Sequence, residues 1–311
     1  MLINYIDQLK AILRVTGWPQ TRLAHELKVT FPALNRWMNR RATPHPSTQK
    51  TIYALYKDKV GILPVPPKEI KEALRDLDRE KKRHKDLAKL IKTSKGFRED
   101  LLLELTYNSN AIEGSTLTKK ETETIIFDKG KVTDRSYVEH LEATNHAAVL
   151  GQIFEGAFEG PISQDTIKEL HLMLLQGIRP DAGKYSKHHR AIRGVDLLLP
   201  GPEDIQEEMD SLSRKINRPK KRQHLIEHIA AMHASFEAIH PFGDGNGRVG
   251  RLIMIIQLLN NGYAPCVIEN SRKSDYYEAL EFAQKRSETH LIRFVAESIL
   301  KGYQIVRKHK K

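Results

Sequence analysis

The chain has 311 residues, of which 40% are apolar, and this is enough for two or three compact units with sizeable cores. The longest apolar stretch, around residues 252–259, is too short to cross a membrane and contains Gln257. The first residues have an amphipathic pattern unlike a signal peptide, and the single Cys266 cannot form an internal disulfide. We therefore expect a cytoplasmic protein with no membrane segment.

The positive charge is concentrated near the N-terminus. The net charge is +12, but residues 1–98 contain 22 Lys and Arg against 9 Asp and Glu, whereas the remainder is nearly balanced. This asymmetry indicates an acidic partner for the N-terminal part, with nucleic acid as the first candidate. Charges that merely solvate helices are the alternative interpretation.

Residues 21–37 predict two short helices joined by a turn. Apolar residues at helical spacing line both helices, and Thr30 is a natural N-cap for the second. The segment resembles a λ-repressor-like helix-turn-helix, with Lys28 where that family commonly has glycine. The resemblance implies that the second helix enters the DNA major groove. The candidate DNA contacts are Asn35, Arg36, Arg40 and Arg41. A degenerate module that contacts protein is the alternative.

Prolines at 64, 66 and 67 mark a linker, and residues 68–95 have a heavily charged helical pattern that predicts a connecting helix. We therefore divide the chain into residues 1–63, a linker with its connecting helix at 64–97, a main domain at 98–301 and a basic tail at 302–311. Helical patterns recur in the main domain, which predicts an all-α fold. They cover residues 137–158, 164–176, 204–217, 222–238, 247–261 and 273–301.

Segment 240–251, with the sequence HPFGDGNGRVGR, has the residue types of a phosphate-handling loop. Glycines at 243, 245 and 247 let successive N–H groups form one anion-binding concavity before a helix N-terminus. Asp244 can hold Mg²⁺ against the same phosphates. His240 is the one group in the loop whose ordinary pKa suits proton abstraction near neutrality.

This segment matches the signature HxFx(D/E)GNGRxxR, and the chain resembles a Fic-domain protein adenylyltransferase. The resemblance implies transfer of AMP from ATP to a Ser, Thr or Tyr hydroxyl of a target protein, which can be the enzyme itself. It assigns proton abstraction to His240, Mg²⁺ binding to Asp244, and ATP phosphate binding to Gly243, Gly245, Asn246, Gly247, Arg248 and Arg251. Family members that phosphorylate instead carry lysine at the position of Gly247, so Gly247 favours AMP transfer.

Three further segments extend the resemblance. The hexapeptide Ser109–Gly114 fits the inhibitory pattern (S/T)xxxE(G/N), which implies that Glu113 pairs with Arg251 where the ATP γ-phosphate would be held. An ordinary helix end with Gly114 after the last turn is the alternative. Tyr276 and Tyr277 match the place of aromatic residues that wall the nucleobase. Residues 183–202 take the place of a β-hairpin flap that aligns the target, with Gly194 at its turn and a basic first half.

Several alternatives remain open from the sequence. The protein could be a DNA-binding regulator whose Fic domain only senses nucleotide, or an enzyme that removes AMP with Glu113 orienting water. His224, Glu227 and His228 formally match the H-x-x-E-H zinc peptidase signature, but short His/Glu patterns arise easily in a chain with 14 histidines.

Overall fold

The structure is a computed structural model that describes residues 4–61, 64–128, 132–191, 197–285 and 287–309. It divides into two compact units, Met1–Val65 and Pro66–Lys311. Within the described residues, every regular element is helical, which confirms the all-α class. None of the described helices is long and apolar enough to span a membrane.

The first unit contains four helices around one apolar core. They are α1 (Tyr5–Thr16), α2 (Gln20–Glu26), α3 (Phe31–Met38) and α4 (Pro46–Lys59). Leu23 of α2, Leu34 of α3 and Ile52 of α4 are fully buried in this core. Lys28, between α2 and α3, has a φ of 55°. This is the left-handed conformation that glycine adopts most easily, so lysine at this turn carries a backbone cost.

The second unit begins with a pair of helices rather than the single connecting helix predicted for 68–95. They are α5 (Pro67–Arg83) and α6 (Leu87–Thr93), with the break at His84. The apolar line of α5, which includes Ile70, Leu74 and Leu77, is buried. It packs on the C-terminal helix, so this segment is part of the second unit's core.

The remaining helices of the second unit include one that is almost entirely buried. They are α7 (Lys95–Glu113), α8 (Lys119–Ile126), α9 (Tyr137–Glu155), α10 (Gln164–Leu175), α11 (Ile205–Ile216), α12 (Leu225–Ile239), α13 (Asn246–Asn260), α14 (Lys273–Lys285) and α15 (Thr289–Lys308). Residues 248–258 of α13 are all buried, and α13 packs against α7, α10 and α12. The loop before α13 is therefore held by a helix that has little freedom to move.

Local sequence signals account for several helix starts. Ser136 and Glu139 form a reciprocal capping box at α9, and Thr118 and Glu121 do the same at α8. At α12 the N-cap is His224, whose ring accepts from the Ile226 N–H. Each cap satisfies backbone donors that the first helical turn leaves without partners.

The C-terminal region differs from the prediction in two ways. The pattern at 273–301 forms two helices, α14 and α15, because Ser287 breaks the run and its hydroxyl accepts from the Thr289 N–H. The last helix then continues to Lys308, with Tyr303 and Val306 buried. The segment 302–311, predicted as a basic tail, therefore begins inside a packed helix.

The predicted hairpin flap remains a prediction. Residues 183–191 and 197–202 contain no strand, whereas 192–196, including the turn glycine Gly194, lie outside the described residues. Ser186 connects this region to the signature loop, because its N–H donates to the carbonyl of Pro241 at 2.9 Å.

Candidate active site

The signature loop connects α12 to α13 through two left-handed residues. His240 ends α12 with φ 50° and ψ 57°, and its N–H donates to the Phe236 carbonyl at 3.0 Å. Gly245 has a φ of 75° and precedes the first residue of α13. These two left-handed residues place the His240 imidazole and the N-terminus of α13 on the same short loop.

Asn246 closes the loop with its side chain. Its Oδ1 accepts from the Phe242 N–H at 2.9 Å, and its Nδ2 donates to the Phe242 carbonyl at 2.9 Å. The side chain is 2% exposed. The sequence predicted a phosphate contact for Asn246, but its amide is committed to the backbone, so its remaining contribution is the backbone N–H.

The start of α13 has the electrostatics of an anion site. Gly245 has no side chain with which to cap the helix, so the first-turn amides of Asn246, Gly247 and Arg248 point from a buried helix N-terminus into the loop. Gly243 is exposed on this loop, whereas Gly245 is buried beside Leu175. The arrangement favours negative charge at the N-terminus of α13.

His240 is half-buried with an electrostatic environment that favours its neutral form. Burial lowers the pKa of its imidazole below the usual range. A hydrogen bond with the Glu237 backbone opposes this shift, and the positive charge of Arg190 reinforces it. A neutral imidazole is available to accept a proton at neutral pH.

Asp244 lies on the solvent side of the loop. Its side chain is 52% exposed, and its Oδ1 accepts from the Gly245 N–H at 2.6 Å. The nearest cation is Arg248, with Nη2 3.8 Å from Oδ1. One exposed carboxylate beside an anion site fits Mg²⁺, which usually takes one or two carboxylates and completes its shell with phosphate oxygens and water. No cluster of three potential metal-binding side chains occurs among the described residues.

Arg248 is buried and paired with an acid that the sequence analysis did not identify. Its Nη1 lies 2.5 Å from Oε1 of Glu142 on α9, and the arginine side chain is 3% exposed. The two residues are 106 positions apart, so no local spacing could have revealed the contact. Glu142 fixes the direction of this guanidinium next to the loop.

Arg251 is held by Ser109 and Glu113, the serine and the glutamate that the inhibitory pattern specifies. Its Nε donates to Ser109 Oγ at 3.0 Å, and its Nη2 donates to the Ser109 carbonyl at 3.0 Å and to Glu113 Oε1 at 2.7 Å. Burial alone would raise the pKa of Glu113, but the charge and hydrogen bond of Arg251 hold it below the usual value. Glu113 is therefore an ionised partner of a buried arginine.

Gly247 makes room for this ion pair. A β-carbon at position 247 would clash with Glu113 Oε1 and would lie 3.0 Å from Nη1 of Arg251. The carboxylate therefore occupies space directly over the first turn of α13. Segment Ser109–Gly114 and the signature loop are therefore in contact although they are distant in sequence.

His171 was missed by the sequence analysis and supports the loop from α10. Its Nδ1 accepts from the Gly183 N–H at 2.8 Å, and its Nε2 lies 3.1 Å from the Asp244 carbonyl. The ring stacks on Phe242 with centroids 3.7 Å apart and planes 5° from parallel. Burial lowers the pKa of His171 to about 4, which keeps the ring neutral. Its Nε2 can then donate to the Asp244 carbonyl while Nδ1 accepts.

The structure separates the two tyrosines predicted to wall the nucleobase. Tyr276 is 1% exposed, and its hydroxyl lies 2.7 Å from Nε2 of buried His233. Its ring packs under Arg251, so Tyr276 cannot offer a face to a base and that prediction is wrong. Tyr277 is 39% exposed, and Lys273 Nζ lies 5.9 Å from its ring centroid.

The zinc peptidase residues serve the start of α12 instead. The Glu227 carboxylate accepts from the His224 N–H, and His224 Nε2 lies 3.4 Å from Asp78. His228 Nε2 lies 3.0 Å from the Ile216 carbonyl. The three side chains have separate partners and form no common metal site.

The candidate DNA contacts lie on and after α3. Arg36 is exposed on the helix, whereas Arg40 and Arg41 are exposed beyond its end at Met38. Asn35 is half-buried, and its Oδ1 accepts from Asn39 Nδ2 at 3.1 Å. The three exposed arginines are therefore accessible to an anion. Asn35 would first have to break its hydrogen bond with Asn39.

Residues 161–258, which include the signature loop, match the family model described as the Fic/DOC family. Protein adenylyltransferase Fic of Nematostella vectensis is 34% identical over 194 residues, and that of Drosophila melanogaster is 30% identical over the same length. Both alignments cover 61% of this chain, which spans only 45% and 39% of those two relatives.

Solved structures share the same arrangement of helices. A Fic domain containing signaling protein from Bacteroides thetaiotaomicron aligns with a TM-score of 0.64 at 25% identity, covering 76% of this chain and 98% of that one. Fic-1 from C. elegans, residues 134–508, aligns with a TM-score of 0.69 at 21% identity, covering 97% of both chains. The second likeness concerns the fold alone.

Proposed function

We propose that the protein transfers AMP from ATP to a Ser, Thr or Tyr hydroxyl of a protein and that Glu113 restrains this activity. The observation that carries the proposal is the loop before α13, where a neutral imidazole, an exposed carboxylate and a buried helix N-terminus lie within eight residues. The curated relatives, whose names specify protein adenylyltransferase, support the same chemistry.

In the proposed reaction the target hydroxyl oxygen attacks the α-phosphorus of ATP. The new oxygen–phosphorus bond replaces the bond from the α-phosphorus to the bridging oxygen, and pyrophosphate leaves with that electron pair. His240 takes the hydroxyl proton, because burial lowers the pKa of its imidazole and keeps the ring unprotonated at neutral pH. The N-terminal amides of α13 and the two signature arginines stabilise the phosphate charge.

Asp244 is the residue we expect to hold Mg²⁺. Bound there, the ion would neutralise charge on the phosphates. Glu142 would keep Arg248 directed toward the same region through their 2.5 Å contact.

Autoinhibition follows from the two competing uses of Arg251. While it pairs with Glu113 at 2.7 Å, its guanidinium is unavailable to a terminal phosphate, and the carboxylate adds negative charge in that place. ATP in the productive position must therefore displace Glu113.

Two other activities use the same residues. The domain could remove AMP, with Glu113 orienting a water molecule, or could only sense nucleotide for a DNA-binding regulator. ATP labelled at the α-phosphate separates them when it is incubated with the parent, Glu113→Gly and His240→Ala proteins. AMP transfer requires covalent label on Glu113→Gly protein or an added target, and none on His240→Ala. A protein already carrying AMP that loses it with the parent enzyme would indicate removal instead.

We also propose that the first unit binds DNA. Residues 1–63 contain 10 Lys and Arg against 3 Asp and Glu, and Arg36, Arg40 and Arg41 project from one end of α3. A cytoplasmic location accords with both proposals. The one cysteine, Cys266, also accords with a cytoplasmic location, because burial raises the pKa of its thiol to about 12.

A further inference from the structure

A groove of about 610 Å³ lies between α5 and the start of α12. It is far from the signature loop, since α12 begins at the groove and ends at His240, about 22 Å farther along the helix. Four basic residues line it: Lys68, Lys71, Arg75 and Arg222. The groove lies wholly within the second unit.

The carboxylates in the groove are already engaged by neighbouring groups. Asp78 accepts from the Tyr263 hydroxyl at 2.6 Å and lies 3.4 Å from His224 Nε2. Glu227 accepts from the His224 N–H at 3.0 Å as part of the α12 cap. Neither carboxylate has an oxygen within 4.0 Å of a nitrogen of the four basic side chains.

Among the described residues, the four cations have no carboxylate partner, although Arg75 Nε donates to the Lys71 carbonyl at 3.3 Å. Within the described parts of the chain, none of Lys68, Lys71, Arg75 and Arg222 lies within 4.0 Å of a carboxylate oxygen. Farther along α5 the pattern is mixed, because Arg79 pairs with Asp76 and Arg83 pairs with Glu80, whereas Lys81 and Lys82 have no described carboxylate oxygen within 4.0 Å. Lys68, Lys71, Arg75 and Arg222 thus form a group of cations without carboxylate partners along the groove.

Basic residues lie on both sides of the groove, on α5 and on the loop before α12. Positions 68, 71 and 75 are spaced to share one face of α5 over about 10 Å. On the other side, the loop before α12 adds exposed Arg218, Lys220 and Lys221 around Arg222. The result is a row of positive charge presented by two separate segments.

We propose that this groove binds the phosphate backbone of duplex nucleic acid. Its one apolar lining residue is Leu74, which is 6% exposed. Protein interfaces depend on apolar and aromatic anchors, whereas nucleic-acid interfaces are polar and strongly positive. A row of unpaired cations without an apolar anchor matches a duplex, which carries one charge per ~1.7 Å of its axis.

The proposal extends the DNA binding proposed for the first unit and is independent of AMP transfer. Pro67, the first residue of α5, follows the first unit by two positions in sequence. Contacts in the groove would add affinity without reading bases, because they involve phosphates.

The test compares matched double variants of the full chain, Lys71→Gln/Arg75→Gln in the groove and Arg79→Gln/Arg83→Gln farther along α5. Binding to a labelled duplex of about 30 base pairs is measured by fluorescence anisotropy between about 50 and 200 mM salt. The groove variant should lose roughly tenfold in affinity at low salt, and its slope of log K against log salt should be smaller by about 2. The control variant should retain the parent slope, and thermal melting should show both variants folded.

A third variant, Arg40→Gln/Arg41→Gln, separates the two nucleic-acid proposals. If only Arg40→Gln/Arg41→Gln weakens duplex binding, the groove proposal fails and the proposal for the first unit stands. If only Lys71→Gln/Arg75→Gln weakens duplex binding, the groove proposal stands and the proposal for the first unit fails. Equal slopes for groove and control variants, or no duplex binding by the parent, would overturn the groove proposal. So would loss of poly-glutamate binding with unchanged duplex binding, which would identify an acidic protein as the occupant.

Discussion

Glu113 at the end of α7 and Arg251 in the buried helix α13 form an ion pair with Oε1 and Nη2 2.7 Å apart. The arginine side chain is 6% exposed and the glutamate side chain 29% exposed, so the carboxylate is the member that a ligand can reach and displace. This asymmetry suits a switch in which the arginine stays fixed and the glutamate leaves.

Removal of the Glu113 carboxylate should activate the enzyme. We expect Glu113→Gly to raise AMP transfer at least tenfold because Arg251 becomes available to phosphate. Arg251→Ala should lower transfer even in that background. Rates for both single variants and the double variant measure the coupling. Glu99→Gly on the same helix, which removes a pair with Lys95, is the control. If folded Glu113→Gly protein transferred AMP to a competent target at an unchanged rate, Ser109–Gly114 would be an ordinary helix end without an inhibitory role.

Gly247→Ala should destabilise the parent protein through Glu113. The added β-carbon clashes with the Glu113 carboxylate, so we expect a loss of about 1–3 kcal/mol in the free energy of unfolding. In the Glu113→Gly background the clash is absent, and most of this loss should disappear. Denaturant unfolding of the parent, Gly247→Ala, Glu113→Gly and the double variant provides the double-mutant cycle. Equal losses in both backgrounds would show that the alanine acts elsewhere.

His240→Ala should reduce AMP transfer by about 10²–10⁴-fold and leave ATP affinity largely unchanged, because the imidazole acts on the incoming hydroxyl. Burial lowers the pKa of His240, so the neutral base persists below the ordinary value of about 6.5. The acid limb of the kcat/KM profile should consequently fall below that pH. Arg190→Gln removes a nearby positive charge and should move the limb upward, whereas Lys187→Gln, at an exposed position, should not. An acid limb above about 6.5 in the parent would contradict this assignment.

Asp244→Asn should lower activity and weaken the dependence on Mg²⁺ together, because the hard carboxylate is lost. Asp181→Asn is the matched control. Asp181 lies beside Gly243 but is already paired bidentately with Arg179 at 2.8 and 2.9 Å. Activity is measured across a Mg²⁺ titration. If Asp244→Asn titrates as the parent does, another group holds the metal.

The two tyrosines should respond differently to substitution. Tyr277→Ala should raise the KM for ATP by about tenfold, since the loss of one aromatic face against a base costs about 1–3 kcal/mol. Tyr276→Phe should instead lower stability by about 1 kcal/mol through the lost contact with His233. Steady-state kinetics and thermal unfolding of both variants distinguish these effects. A higher KM in Tyr276→Phe alone would reverse the assignment.

The signature loop was predictable because its chemistry is local. His240, Asp244 and Gly245 lie within six residues, and the helix that starts at Asn246 directs its first amides into the same loop. Helix caps such as Ser136 with Glu139 are local in the same way. In these cases bond geometry and hydrogen bonds within a few residues determine the outcome.

Contacts between distant segments depended on packing. The sequence resemblance proposed the Glu113–Arg251 pair, but the contacts of Glu142 with Arg248 and His171 with Phe242 join positions that no spacing rule connects. Tertiary packing also buried Tyr276 while leaving its neighbour Tyr277 exposed, and it committed the Asn246 amide to the loop. The sequence by itself determined which chemical groups are available and how each helix begins. The tertiary structure decided which groups meet, because burial assigns every polar side chain to the partner within reach.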